Sequence, residues 1–174
     1  MSDNGRVAIC PGSYDPVTNG HLDIITRSSR IFDKVIVGVV NQPVRKQKPL
    51  FEAEERRAFI LQETQKLGNV EVEVFDTLLV DFAHRHGARA LVKGLRAISD
   101  FEYEFELNQL NRHLAPEIES VYMMSSPHYS FLSSSGIKEL ATFGADISEL
   151  VPPAVGKALH ERLSRVGDQG TTGG

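Results

Sequence analysis

Val7-Ala8-Ile9-Cys10-Pro11-Gly12-Ser13-Tyr14-Asp15-Pro16-Val17-Thr18-Asn19-Gly20-His21 is the stretch that decides the fold. Its first four residues are a short apolar strand. The Pro-Gly and Asp-Pro pairs then mark a tight loop, and Thr18-Asn19-Gly20-His21 opens a helix. A loop and helix start at the C-terminal end of a first strand is where an open α/β sheet binds phosphate, because free N–H groups and the helix dipole both face the anion there. Gly12 lets the main chain approach a ligand closely. His21, in the first helical turn, can face the same anion.

Outward from this stretch, strand-like and helix-like segments alternate. Short apolar runs occupy 7–10, 35–40, 70–75, 90–92 and 121–124. Segments with helical spacing fall at 20–32, 52–67, 79–86, 100–114, 134–143 and 153–165. The first should turn Leu22, Ile25 and Ile31 or Phe32 toward the sheet, and the second is charged on one side with Phe59 and Ile60 on the other. Near-continuous Val/Ile strands imply burial on both faces, hence parallel pairing. Right-handed crossovers then give an α/β, Rossmann-like, doubly wound five-stranded parallel sheet with helices on both faces. One domain over 1–166 is expected, with a polar, Gly-rich tail at 167–174 that would be disordered.

Composition narrows the function. The 174 residues suit one domain, and 41% hydrophobic content supports an ordinary core. A net charge of −4 argues against a generic nucleic-acid binder, which usually carries a basic excess. Cys10 is the only cysteine, so no intrachain disulfide forms, and it reads as a small buried hydrophobe. The polar start, Met1-Ser2-Asp3-Asn4-Gly5-Arg6, has no apolar signal region, and no run of about 18 apolar residues exists. A cytoplasmic protein with no membrane partner is expected.

Several constellations could carry chemistry. Ser13 and His21 lie at the first strand's end. As a turn residue and a helix-start residue they could be purely structural, but the flanking Pro-Gly and Asn-Gly favour an anion site. Lys93-Gly94-Leu95-Arg96 follows a second apolar run and sets two cations around a glycine; Arg offers a bidentate fork and Lys a point charge. Arg45-Lys46-Gln47-Lys48, after the second strand, is either a solvated loop or a further contact for an anion. Tyr129-Ser130-Phe131-Leu132-Ser133-Ser134-Ser135 opens a helix, and three serines exceed what one cap needs. Asp100-Phe101-Glu102-Tyr103-Glu104-Phe105-Glu106 suits a helix dipole as well as a metal, so a structural role is expected for most of its acids. His84 and His86 would face different sides of a helix, and His113, His128 and His160 stand alone. No zinc spacing, complete Walker motif or Gly-x-Ser-x-Gly is present.

Taken together, these motifs resemble the phosphopantetheine adenylyltransferases of bacterial coenzyme A biosynthesis, over residues 7–163. Asn111-Arg112-His113 adds to the match. The wider superfamily is the nucleotidyltransferases related to class I aminoacyl-tRNA synthetases. Its His-x-Gly-His has Thr18 here in the first position, which is this family's own pattern. The resemblance implies that ATP and 4′-phosphopantetheine give dephospho-coenzyme A and pyrophosphate, with Mg2+ carried mainly by the ATP phosphates. It implies catalytic roles for His21, Lys93 and Arg96. ATP contacts would come from Ser13, Tyr14, His21, Gly94, Leu95, Arg96, Glu104 and Tyr129, Ser130, Phe131, Leu132, Ser133, Ser134 and Ser135. Phosphopantetheine contacts would come from Ser13, Leu79, Lys93 and a loop cation, for which Arg45 and Lys46 compete and Lys48 is a third choice. Lys93 stands where some members have Arg. A homo-hexamer and feedback by coenzyme A are implied too, and no protein metal ligand.

The residue types suit that reaction. A phosphate monoester has a second pKa of about 6, so the attacking group is largely dianionic and needs no general base. The difficulty is bringing two polyanions into line, a task for His21, Lys93, Arg96 and helix N-termini. Two other readings fit the first motif: a related transferase acting on nicotinate mononucleotide or a polyol phosphate, and a non-catalytic nucleotide sensor.

Overall fold

In the computed structural model, which describes residues 5–43 and 48–167, five strands form a single parallel sheet. They are β1 (Val7–Gly12), β2 (Lys34–Val40), β3 (Val70–Phe75), β4 (Ala90–Leu95) and β5 (Glu119–Met124). Helices α1 (Asn19–Ser29), α2 (Ala53–Thr64), α3 (Leu79–Arg85) and α4 (Ile98–Leu114) make the crossovers, and α5 (Ser134–Thr142) and α6 (Pro153–Gly167) follow. The strand order is β3-β2-β1-β4-β5, the doubly wound order expected from the sequence.

Alternate strand residues bury into two cores. Ala8, Cys10, Val35, Val37 and Val92 pack with Ile24 and Ile25 of α1, Ile60 of α2, Ile137 of α5 and Leu159 of α6. Ile9, Ile36 and Leu91 face the other way, against Val80, Phe82 and Ala83 of α3 and Ala115 and Ile118 beyond α4. A strand with water on neither face has no polar side, and this is why these runs are apolar throughout. Phe32, not Ile31, continues the inward stripe of α1. Ile31 lies just past the helix and is 49% exposed, while Phe32 packs on the core.

The strands outrun the apolar runs that announced them. β1 continues through Pro11 and Gly12, opposite Gly38 and Val39 of β2. β4 continues through Lys93, Gly94 and Leu95, opposite Tyr122, Met123 and Met124 of β5. Lys93 and Gly94 are therefore strand residues rather than loop residues, since ladder pairing does not depend on an apolar side chain. Between β1 and β4, however, pairing stops at Ile9 and Leu91. The chain winds outward from β1 to β3 and returns at β4, so the two central strands part at the point where winding reverses. That parting is the crevice in which ligands of open α/β sheets sit.

Candidate active site

The first wall of the crevice is the loop after β1. Tyr14 takes a left-handed backbone conformation, φ 49°, and folds its ring back under the loop. The ring is buried and its hydroxyl donates to the Cys10 carbonyl at 2.9 Å. Any direct contact from Tyr14 to a ligand must therefore come from its main chain. A Cβ at Gly12 would come within 2.9 Å of this ring, so the close return needs glycine.

Thr18 caps α1 and forms a capping box with His21. The Thr18 N–H donates to His21 Nδ1 at 3.0 Å. A ring nitrogen that accepts a main-chain hydrogen bond carries no proton, so the neutral imidazole keeps its proton on Nε2. The cap thus presents His21 as an Nε2–H donor. Tyr14 braces the ring edge-on, with centroids 5.1 Å apart.

β4 and α4 build the second wall. The Lys93 ammonium pairs with the Glu104 carboxylate, both largely buried, and Tyr122 donates to the Glu104 main-chain carbonyl at 3.1 Å. Arg96 grips Asp100 with two forks, Nε to Oδ2 at 3.0 Å and Nη2 to Oδ1 at 3.2 Å. Its Nη1 donates to the Leu132 carbonyl at 2.6 Å and so ties β4 to the serine segment. Gly94 lies against α1, where an added Cβ would meet Ile24 at 3.0 Å.

The serine segment closes the third side. Ser133 caps α5 through the Gly136 N–H at 3.0 Å. Ser134 donates to the Pro16 carbonyl at 2.9 Å, joining this segment to the β1 loop. Ser130 bonds locally to Pro127, while Ser135 and Phe131 are exposed and Leu132 is buried. Tyr129 packs against α1's first turn, where a Cβ on Gly20 would be 3.3 Å from its own Cβ. Walls from separate crossovers therefore meet through named bonds: Arg96 joins the end of β4 to the serine segment, and Ser134 joins that segment to the β1 loop. Leu79, half-buried at the start of α3, stands beyond the end of β3. Arg45 and Lys46 lie outside the described residues.

Comparison with known proteins agrees with this geometry. A cytidylyltransferase-like family model matches residues 9–140. A curated phosphopantetheine adenylyltransferase from Rubrobacter xylanophilus is 54% identical over 160 residues, covering 92% of this chain and 96% of the relative. Another, from Alkaliphilus metalliredigens, is 49% identical over 90% of this chain and 99% of its own. The chain belongs to the phosphopantetheine adenylyltransferase family. Among solved structures, a provisionally named nicotinate-nucleotide adenylyltransferase from Vibrio parahaemolyticus superposes with a TM-score of 0.68 at 20% identity, covering 92% of this chain and 95% of that one. A bifunctional NMN adenylyltransferase/ADP-ribose pyrophosphatase from Francisella tularensis, complexed with AMP and manganese, gives 0.64 at 14% identity, over 94% of this chain and 53% of that one. These two likenesses are of fold.

Two buried charges in this phosphopantetheine adenylyltransferase family chain escaped the sequence reading. Asp15 accepts the N–H groups of Leu50 and Phe51, each at 2.9 Å, and pairs with Lys138 at 3.1 Å. Arg56 is 1% exposed and donates to four main-chain carbonyls. Burial pulls its pKa below the ordinary arginine value, opposed by the negative charges of Asp15 and Glu52. Arg56 is one wall of a cavity of about 360 Å³ that Lys48, Asn41 and Glu52 also line. The signal was present: Ala53, Arg56, Ile60 and Thr64 share one helical stripe, and all four are buried.

Among the described residues no group of three or more His, Cys, Asp or Glu could hold a metal. The rim carboxylates, Asp100 and Glu104, are committed to Arg96 and Lys93. Cys10 is buried and its thiol is pushed up to about 12, chiefly by burial, so it carries no nucleophile. Among the described residues no helix is long and apolar enough to cross a membrane.

Proposed function

We propose that this chain transfers the adenylyl group of ATP to 4′-phosphopantetheine, giving dephospho-coenzyme A and pyrophosphate. The single observation that carries the reading is the joining of the β1 loop, Arg96 and the serine segment at the β1–β4 crevice of a chain from this family. A phosphate oxygen of phosphopantetheine attacks the α-phosphorus of ATP. The new P–O bond forms as the bond to the pyrophosphate oxygen breaks, and the electron pair leaves on pyrophosphate.

No residue needs to take a proton. His21 Nε2–H donates to an α-phosphoryl oxygen, where charge builds in the transition state. Lys93 takes the acceptor phosphate, and Arg96 the nucleotide phosphates beside the serine segment. Magnesium would be carried by the ATP phosphates and water and would neutralise charge between the reactants; the rim carboxylates Asp100 and Glu104 are paired with Arg96 and Lys93. Arg45, Lys46 or Lys48 supplies a further cation to the acceptor.

The same reading includes a cytoplasmic homo-hexamer subject to coenzyme A feedback. Its support on the molecular surface is α4, which exposes Phe101, Tyr103, Phe105, Leu110 and Leu114 and so carries an unusual amount of apolar surface for a lone chain. Pyrophosphate release from ATP and magnesium, measured with 4′-phosphopantetheine, nicotinate mononucleotide and a polyol phosphate, tests the reaction. Release only with 4′-phosphopantetheine is expected. Release with another acceptor alone moves the chain to a related transferase, and ATP binding without release makes it a sensor.

A further inference from the structure

The charged group most fully withdrawn from water in the described chain is Arg56, and the reaction proposed above gives it no task. The stripe of α2 that carries Ala53 and Ile60 turns it inward. Its guanidinium then spans three segments. Nη1 donates to the carbonyls of Ser13, just after β1, at 2.7 Å and of Val40, the last residue of β2, at 2.8 Å. Nη2 donates to the Asn41 carbonyl at 2.8 Å, and Nε to the Phe51 carbonyl at 3.0 Å. None of these partners is a carboxylate. Main-chain dipoles hold the charge, and the planar fork fixes their spacing.

The bond to Ser13 reaches further. The cis peptide bond of the described chain is Asp15–Pro16, so the Ser13–Tyr14 bond is trans. In a trans peptide the C=O and the following N–H point in opposite directions. With its carbonyl held by Arg56, the Ser13–Tyr14 unit must turn the Tyr14 N–H away from the guanidinium. The ring of Tyr14 is buried beneath the same loop, so this N–H is what Tyr14 can offer a phosphate. The other bonds hold the ends of the segment that carries Lys48 against the β1 loop.

We propose that Arg56 is a positioning residue: it holds the loop after β1 to the end of β2, and so orients the Ser13–Tyr14 main chain that receives substrate phosphate. The inference rests on the phosphopantetheine reading. It gives a role to a residue outside the set assigned to substrate contact. The far side of the crevice is held separately, by the Arg96 bond to Leu132 and the Ser134 bond to Pro16.

Arg56→Lys keeps the charge but cannot hold four carbonyls in one plane. Its thermal midpoint, its steady-state constants for each substrate and its ATP affinity by calorimetry are measured beside the parent chain. A displacement of about 1 Å at a reacting group costs about 10²-fold in rate. The folded variant should therefore lose about ten- to a hundredfold in kcat/KM for phosphopantetheine and for ATP. In Arg56→Ala, added guanidinium ion should restore part of the loss. No change for either substrate, no rescue by guanidinium, or a chain that folds with neither substitution would overturn the role. The parent chain is a separate arm: if it releases no pyrophosphate with phosphopantetheine, the functional reading fails, and the variants are then assayed on whichever acceptor it does use.

Discussion

Two bonds of His21 can be separated by substitution, and this makes it the sharpest test of the site. Nδ1 accepts the Thr18 N–H, and Nε2 carries the proton that the proposed reaction offers to the α-phosphoryl oxygen. His21→Ala removes both. Loss of one transition-state donor lowers kcat by about 10²–10³, or about 2.7–4 kcal/mol. Loss of the acceptor strands the Thr18 N–H, and Thr18 is 2% exposed. An unpaired buried donor costs about 1–3 kcal/mol, which at this chain length lowers Tm by about 2–4 °C per kcal/mol. Asparagine can place its oxygen near Nδ1 and glutamine its amide nitrogen near Nε2. Both can return a bond to the Thr18 N–H, and glutamine at this third helical position is an ordinary capping-box partner, so His21→Asn and His21→Gln should each hold Tm close to the parent value, with His21→Asn losing the turnover and His21→Gln keeping more of the rate. Pyrophosphate release and thermal melts on the three variants read both quantities. Full turnover in His21→Asn, or an alanine variant within about threefold of the parent, would remove the Nε2 donor from the mechanism.

Lys93→Ala should raise KM for phosphopantetheine by about tenfold or more, as expected for a charged contact, with ATP affinity changing less; a loss confined to ATP would place Lys93 on the wrong substrate. Cys10, with its thiol pushed up to about 12 and buried, should not react with a disulfide reagent at pH 8 until the chain is unfolded, and prompt labelling of the native chain would contradict its placement. The Arg162 guanidinium bonded to Glu55 holds that carboxyl below its usual value. Glu55 therefore contributes stability that is present above about pH 4.5 and lost as pH falls through its lowered folded value. Urea melts of the parent and Glu55→Gln should differ at pH 6, by under about 1 kcal/mol for so exposed a pair, and converge as pH falls through that lowered value. A gap that widens on acidification would reverse the assignment.

The sheet and its crossovers were legible because burial on both faces leaves apolar runs in β1, β2 and the first half of β4, while the edge strand β3 alternates Val and Glu. A candidate site was legible where several unusual residues cluster, as at Pro11–His21 and Tyr129–Ser135. What stayed hidden depends on which way one side chain turns in the folded chain. Arg56 sits within Glu54-Glu55-Arg56-Arg57, a run that reads as the wet side of a helix, and only its register with Ile60 separates it from Arg57. Asp15 looks like a turn residue, and its bonds to Leu50 and Phe51 cross 35 positions or more of chain. Arg96 was legible as a cation, but its bonds to Asp100 and Leu132 required the geometry of α4 and the serine segment together.

Those bonds bear on how the site works before any phosphate arrives. Asp100 and Glu104 are one helical turn apart on α4, so they share a face, and that face holds both rim cations. A lone ammonium at this depth would prefer water to the crevice. Pairing with Glu104 keeps Lys93 in place, and the forked grip of Asp100 keeps Arg96 planar to the Leu132 carbonyl. An arriving phosphate then exchanges one anionic partner for another. Lys93 has already lost most of its hydration, and both cations are held in one geometry, so little reorganisation accompanies the exchange, which is the condition under which fixed charges stabilise a transition state best. The cost falls on ground-state affinity, because each phosphate contact displaces a carboxylate. Asp100→Asn should therefore bind ATP, and Glu104→Gln phosphopantetheine, more tightly at low salt, and both should turn over more slowly; a variant faster than the parent would show that the carboxylates only restrain the cations and do not aim them.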